Sequence, residues 1–309
     1  MGLARRTLLI ASQNKWLRER APQYAFFRRT TKRFMPGENV EDALAAAAEL
    51  AQQNIACVLT HLGENIADRS EAVAVTQHYL DVLGRIRASG LPAEVSVKLT
   101  QLGLDLDRDF CYANVATLIE HCPPEKTLWI DMEQSSYVDA TFELCHRARQ
   151  AYQNVGVCVQ SYLYRTEKDV ESLISMGAAV RLVKGAYNEP SEIAYPKKSD
   201  VDENYFALAK RLLAPDARRA GVRTAIATHD RALIQRIAEW AAAEGIAKGD
   251  LEIQMLYGIQ RAEQLRLAGD GYRMAVLISY GTFWFPWFMR RLAERPANML
   301  FLARNLFSA

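Results

Sequence analysis

Eight short apolar runs rich in β-branched residues constrain this chain more than any other feature. They are Ile55–Thr60, Glu94–Leu99, Thr127–Asp131, Val155–Gln160, Ala179–Val183, Arg223–Thr228, Leu251–Met255 and Tyr272–Ser279. A turn follows each run, and then a stretch with helical periodicity. The apolar residues are continuous rather than alternating with polar ones, as expected of parallel strands covered on both faces. Eight such units close into a (βα)8, TIM-like barrel. A doubly wound sheet is the competing architecture. Its dinucleotide fingerprint is missing, because the turn after the first run reads His61-Leu-Gly63-Glu64-Asn65, and no Walker A sequence is present. Residues 1–54 read as an N-terminal helical arm, with Asn39-Val-Glu-Asp42 as a helix start. Residues 55–309 form the barrel, which ends in a helix over its mouth.

Half of the 309 residues are hydrophobic, enough to fill such a core. The 38 basic and 36 acidic residues nearly cancel, which argues against a nucleic-acid-binding surface. The five cysteines, Cys57, Cys111, Cys122, Cys145 and Cys158, are scattered and odd in number. They read as reduced, buried thiols of a cytoplasmic protein. The apolar stretch Thr7–Ala11 is too short for a signal-peptide core, and no later segment reads as a membrane span. Arg6 stands where a myristoylation pattern wants Ser or Thr. The five histidines, His61, His78, His121, His146 and His229, lack zinc-type spacing, so no metal is expected.

Polar residues at the carboxyl ends of barrel strands face the mouth, where chemistry takes place. Here they include His61 and Glu64, Lys98 and Gln101, Asp131 and Glu133, Gln160, Arg181 and Lys184, Thr228 and His229, Gln254 and Tyr280. Lys98 has apolar neighbours on both sides; an edge lysine reaching for water reads the same way, but a buried strand demands a partner anion. Asp131 is either a helix cap or that anion. Arg181, between valine and leucine, should point into the mouth or meet a carboxylate. The turn Lys184-Gly185-Ala186 offers backbone N–H groups to a phosphate or a ring edge. His229 reads equally as a structural residue. The final helix holds Trp287, Arg290, Arg291 and Glu294, which form either a solvated ladder or a clamp on a carboxylate.

Six strings in order resemble the bacterial proline dehydrogenase family: Val-Ser-Val-Lys98-Leu, Asp131-Met-Glu-Gln, Val-Arg181-Leu-Val-Lys-Gly-Ala-Tyr187, Ala-Thr228-His229, Glu-Ile-Gln254-Met-Leu-Tyr-Gly and Arg290-Arg291-Leu-Ala-Glu294. The resemblance implies FAD held without a Rossmann fold. It also implies oxidation of L-proline to Δ1-pyrroline-5-carboxylate, electrons passed to a membrane quinone, and functional coupling to pyrroline-5-carboxylate dehydrogenase. The protein would then be cytoplasmic and peripheral at the inner face of the membrane. Lys98, Arg290 and Arg291 would bind the substrate carboxylate, with Tyr187, Trp287 and Leu277 around the ring. Asp131 would organise Lys98, and Arg181 would sit beside the reactive flavin nitrogen. Met132, Gln160, Val183, Lys184, Gly185, Ala186, Thr228, His229, Gln254, Met255 and Glu294 would line the cofactor. Glu64 would form a gate with Arg290, since the first and eighth strands of a closed barrel are neighbours. Leu277 and Trp287 stand where the family usually has tyrosines, which leaves hydroxyproline open as a substrate. A Schiff-base aldolase using Lys98 or Lys184 is a rival reading. A non-enzymatic scaffold is another, but it leaves Lys98, Asp131 and Arg181 as unexplained buried charges.

Overall fold

The computed structural model describes residues 31, 33–63 and 66–294, without the side chains of residues 290 and 292–294. Eight parallel strands close in sequence order into a barrel. They are β1 (Ala56–His61), β2 (Ala93–Val97), β3 (Leu128–Ile130), β4 (Val155–Gln160), β5 (Ala179–Val183), β6 (Thr224–Ala227), β7 (Glu252–Leu256) and β8 (Arg273–Tyr280). The seam between the first and last strands is fully zipped, from Ala56 opposite Ala275 to His61 opposite Tyr280. Helices follow the strands, and several start where the sequence supplies a carboxylate cap. Asp68 accepts from the Glu71 N–H at 3.0 Å and Asp107 from the Phe110 N–H at 2.9 Å.

Three of the expected strands are shorter than the apolar runs: β6 lacks Arg223 and Thr228 at its ends, and β2 and β3 stop early. β2 stops at Val97 because Leu99–Gln101 turn into a short 3-10 helix, and β3 stops at Ile130. Lys98 and Asp131 therefore stand just past the ladder, at the rim. β8 is displaced instead, starting at Arg273 and running on to Tyr280.

Strand residues alternate between two apolar layers. Outward residues such as Val95, Val97, Ile130, Leu182 and Ile253 join the helices in one continuous core. Inward residues Val58, Trp129, Ala179 and Ala225 form a separate small cluster, with Leu277 packed against it. The Trp129 indole lies across β4, where a Cβ added at Gly156 would stand 2.9 Å from it. Only glycine leaves that space, so Trp129 fills the middle of the barrel.

The helix Val40–Ala51 buries Val40, Ala43, Ala46, Ala47 and Leu50, and lies against β1 and β8 across the seam. A second apolar cluster joins Phe34, Met35 and Leu62 to Trp284, Phe285, Trp287, Phe288 and Met289 of the last helix, Trp284–Glu294. Leu62 follows β1, and Ile259, also packed there, follows β7. That places the last helix at the carboxyl rim. Trp284 Nε1–H donates to Glu38 at 2.9 Å, which ties the helix to the segment preceding Val40. No described helix is long and apolar enough to cross a membrane.

Candidate active site

Arg181 is the centre of the rim. It is 2% exposed, and its guanidinium lies over the Trp129 ring at 4.6 Å. Nε donates to Gln254 Oε1 at 2.7 Å, while Nη1 donates to Ser96 Oγ at 2.9 Å and to Asp131 Oδ1 at 2.8 Å. Nη2 is buried with no hydrogen-bond partner. Asp131 also accepts from Ser96 Oγ at 2.6 Å, and Lys98 Nζ stands 3.7 Å from its Oδ2. That last distance is an ion pair too long for a hydrogen bond. Lys98 and Asp131, just past the ends of β2 and β3, and Arg181, reaching across from β5, therefore come together, and the buried cations have the anion that the sequence demanded.

A second ionic layer lies beneath Trp129. Arg223 donates to Glu252 (Nε–Oε2 2.8 Å) and reaches across to Glu94 (Nη1–Oε1 2.6 Å). Glu94 also accepts from Trp129 Nε1–H at 2.7 Å. Burial opposes the Arg223 charge, but the hydrogen bonds and charges of Glu252 and Glu94 outweigh it and hold its pKa above the ordinary arginine value. Gln254 Nε2–H donates upward-facing Glu252 a 2.7 Å bond, so the two layers are one network. Lys98, Arg181 and Arg223 are balanced by Asp131, Glu94 and Glu252. Such balance is what makes buried ions tolerable, since removing one partner strands another.

Around this centre the expected residues divide. Gln160, 3% exposed, donates to the Glu133 carbonyl at 3.1 Å and keeps its own Oε1 buried without a partner. His229 Nε2 accepts the Leu256 N–H at 2.9 Å, so the neutral ring carries its proton on Nδ1 and latches β6 to β7. Thr228 Oγ accepts the Asp230 N–H at 3.2 Å. Lys184 Nζ is bound to Asp202 and Asp230, away from the Lys98–Arg181 group. Gly185 has φ +109°, and a Cβ there would strike the Tyr162 ring at 2.4 Å. Tyr162 by itself thus requires a glycine at this position. Ala186 and Val183 are half-buried beside it, as is Tyr187.

Met132 and Met255 are buried in the main apolar core, and Met255 alternates along β7 with inward-facing Gln254. Leu277 faces the barrel interior against Trp129 and Val58. Trp287 is 7% exposed in the second cluster, and the half-buried Arg291 lies over its ring at 5.9 Å. Glu64 and the side chains of Arg290 and Glu294 lie outside the described residues.

At the foot of the β1–β8 seam's carboxyl end, His78 Nε2 meets Tyr280 OH at 2.8 Å, and the His61 and His78 rings are 4.7 Å apart. Burial, followed by the charges of His78 and Lys98, pushes His61 down to about 4. All five cysteines are free and buried. Burial pushes the Cys57 and Cys145 thiols up to about 12, which makes them inert.

Sequence reasoning missed Ser96, Trp129, Glu94, Arg223 and Glu252. The signal was present: Ser96 lies two residues before Lys98, and Glu252 two before Gln254, which puts each pair on one strand face.

A closed parallel barrel with Lys98, Asp131 and Arg181 brought together toward its carboxyl end defines a (βα)8-barrel enzyme. The proline dehydrogenase family profile matches residues 43–304. Over 307 residues the chain is 36% identical to Proline dehydrogenase 2 of Bacillus subtilis subsp. natto, covering 99% of each. It is 36% identical over 281 residues to Proline dehydrogenase of Deinococcus radiodurans, covering 89% of each. The chain belongs to the proline dehydrogenase family. Among solved structures, proline utilization A from Bdellovibrio bacteriovorus, inactivated by N-propargylglycine, shares the fold with a TM-score of 0.79 and 24% identity. The match covers 94% of this chain and 36% of that one, so the chain spans about a third of the longer protein.

Proposed function

We propose that the protein oxidises L-proline to Δ1-pyrroline-5-carboxylate, using FAD seated on the carboxyl ends of the strands and a membrane quinone as the electron acceptor. The observation that carries this reading is the buried Arg181 with Nη2 left unpartnered at the rim, above a network that uses its other nitrogens. A buried guanidinium N–H without an acceptor is costly unless a ligand supplies one. Gln160 Oε1 is another unpartnered buried group, an acceptor at the end of β4, the strand next to the one that Asp131 follows. One donor and one acceptor of this kind fit the polar edge of a flavin, and the residues that would hold it are Arg181, Gln160, Val183, Lys184, Gly185, Ala186, Thr228, His229 and Gln254.

Held by these residues, a flavin would supply the acceptor for a hydride equivalent from the ring carbon next to the amine, while the protein binds and orients. Oxidation turns the ring C–N single bond into a C=N bond and releases the amine proton. Lys98, Arg290 and Arg291 hold the carboxylate, so that the reacting carbon faces the cofactor. Asp131 fixes Lys98 and Arg181 in one geometry. Arg181 opposes the negative charge that grows on the ring during reduction. Tyr187, Trp287 and Leu277 enclose the substrate ring and exclude water. Glu64 closes with Arg290 over the occupied site. The product is an imine, which in this reading passes on to pyrroline-5-carboxylate dehydrogenase.

The visible spectrum tests this reading. Purified protein should show flavin absorbance that bleaches on anaerobic addition of L-proline. Protein that binds FAD but is not reduced by proline, or that never binds it, would sink the proposal. The aldolase rival predicts instead a borohydride-trapped adduct on Lys98 or Lys184, yet Lys184 is engaged with Asp202 and Asp230.

A further inference from the structure

Beneath the rim, the direction of one amide is dictated by a residue that touches neither substrate nor cofactor in the reading above. Gln254, 3% exposed, uses both ends of its side chain: Oε1 accepts from Arg181 Nε at 2.7 Å, and Nε2 donates to Glu252 Oε1 at 2.7 Å. A carboxylate can only accept, so Glu252 permits one orientation of that amide. Turned over, it would set oxygen against oxygen below and donor against donor above. Glu252 cannot move aside to tolerate this. It is 2% exposed and is gripped by Arg223 (Nε–Oε2 2.8 Å, Nη2–Oε1 2.9 Å), which is itself held by Glu94 (Nη2–Oε2 3.1 Å).

Arg181 is the receiving end. Asp131 and Ser96 hold Nη1 from one side, but a guanidinium pinned at one nitrogen still pivots. The bond from Nε to Gln254 removes the pivot and decides where the unpartnered Nη2 points. We propose that Glu252 is a positioning residue for proline oxidation: through Gln254 it fixes the plane of Arg181 and holds Nη2 toward the flavin. This rests on the reading of Arg181 given above.

The test is the flavin midpoint potential, measured by equilibration with reference dyes in the FAD-loaded protein. Glu252→Gln removes a negative charge below the site, and charge alone would make the flavin easier to reduce. Loss of orientation does the opposite, because a glutamine accepts either end of its neighbour. The expected result is a tenfold lower equilibrium constant for reduction by proline, which is about 30 mV for a two-electron couple. The double variant Glu252→Gln with Gln254→Glu keeps the net charge and restores a one-way donor–acceptor pair. The relocated carboxylate stands nearer the flavin and by charge alone lowers the potential, so recovery above the single variant, even in part, reports the restored orientation, while Tm stays lowered because Arg223 has lost one of its two bidentate carboxylates. Gln254→Met leaves Glu252 with Arg223 and should show the same fall as the single variant, so the idea stays testable if Glu252→Gln does not fold. A potential unchanged or raised in Glu252→Gln, one unchanged in Gln254→Met, or a double variant no better than the single, overturns the proposal. Arg181→Met separates the two failures. If it leaves the potential unchanged, the reading of Arg181 is wrong. If it lowers the potential while Glu252→Gln does not, only the role of Glu252 is lost.

Discussion

Burying a guanidinium inside a barrel is destabilising unless carboxylates answer it, and Arg181 is answered at every nitrogen but one. Arg181→Met removes the cation that opposes charge on the reduced ring. We expect a lower flavin potential, slower anaerobic reduction by proline, and a lowered Tm, with Asp131 left to Lys98 and Ser96 alone. Stopped-flow traces and dye equilibria that match wild type would take Arg181 away from the flavin. Lys98, Asp131 and Arg181 were legible in the sequence because charges inside apolar runs have few places to go. Ser96 and Glu252 were not, because a serine and a glutamate at strand positions read as ordinary until their face is known. Gly185 was legible as a necessary glycine, but the atom that requires it, in the Tyr162 ring, belongs to a different strand end.

The last helix, Trp284–Glu294, packs on an apolar cluster separate from the main core, bounded by Phe34, Met35 and Leu62. Its position at the rim therefore depends on a segment far away in the chain, a dependence that no local pattern records. The strands themselves were readable as continuous apolar runs. Their ends were not, since the turn at Leu99–Gln101 is a backbone event that hydropathy does not mark. The Trp284–Glu38 bond and the Phe34–Phe288 ring contact keep this helix oriented. Arg290→Met and Arg291→Met should each raise the KM for proline about a hundredfold or more, as loss of one partner of a buried charge pair implies. Bound flavin should be retained. Steady-state kinetics at wild-type KM in both variants would return the two arginines to the solvated face. Glu64→Ala should weaken binding of a proline analogue at low salt if the gate with Arg290 operates.

Across the whole molecule, acid stability should fall in two stages. His61 is held down to about 4 from an ordinary 6.5, so the unfolded chain takes up a proton that the folded one refuses as pH drops through that window. The half-buried His78, also pushed down by burial, adds to the same stage. Asp230 is different: burial raises its pKa, but Lys184 and Lys198 bring it down to about 2, so its stabilisation is present above 3.8 and lost toward 2. His61→Asn should flatten the upper stage, by on the order of 2 kcal/mol, and leave the lower one. Denaturant unfolding at several pH values would show this, and an unaltered upper stage would mean that His61 protonates as readily folded as unfolded. The β1–β8 seam sets a further condition, on how the protein comes into being. Its two sides, Ala56–His61 and Arg273–Tyr280, are made far apart in the chain, with six strands between them. Until Tyr280 is out of the ribosome, β1 and the newest strand are bare borders that bond with any extended chain nearby. The wall closes only after its eighth strand has been made, and a nascent chain halted before Arg273 is an open sheet exposed to wrong partners.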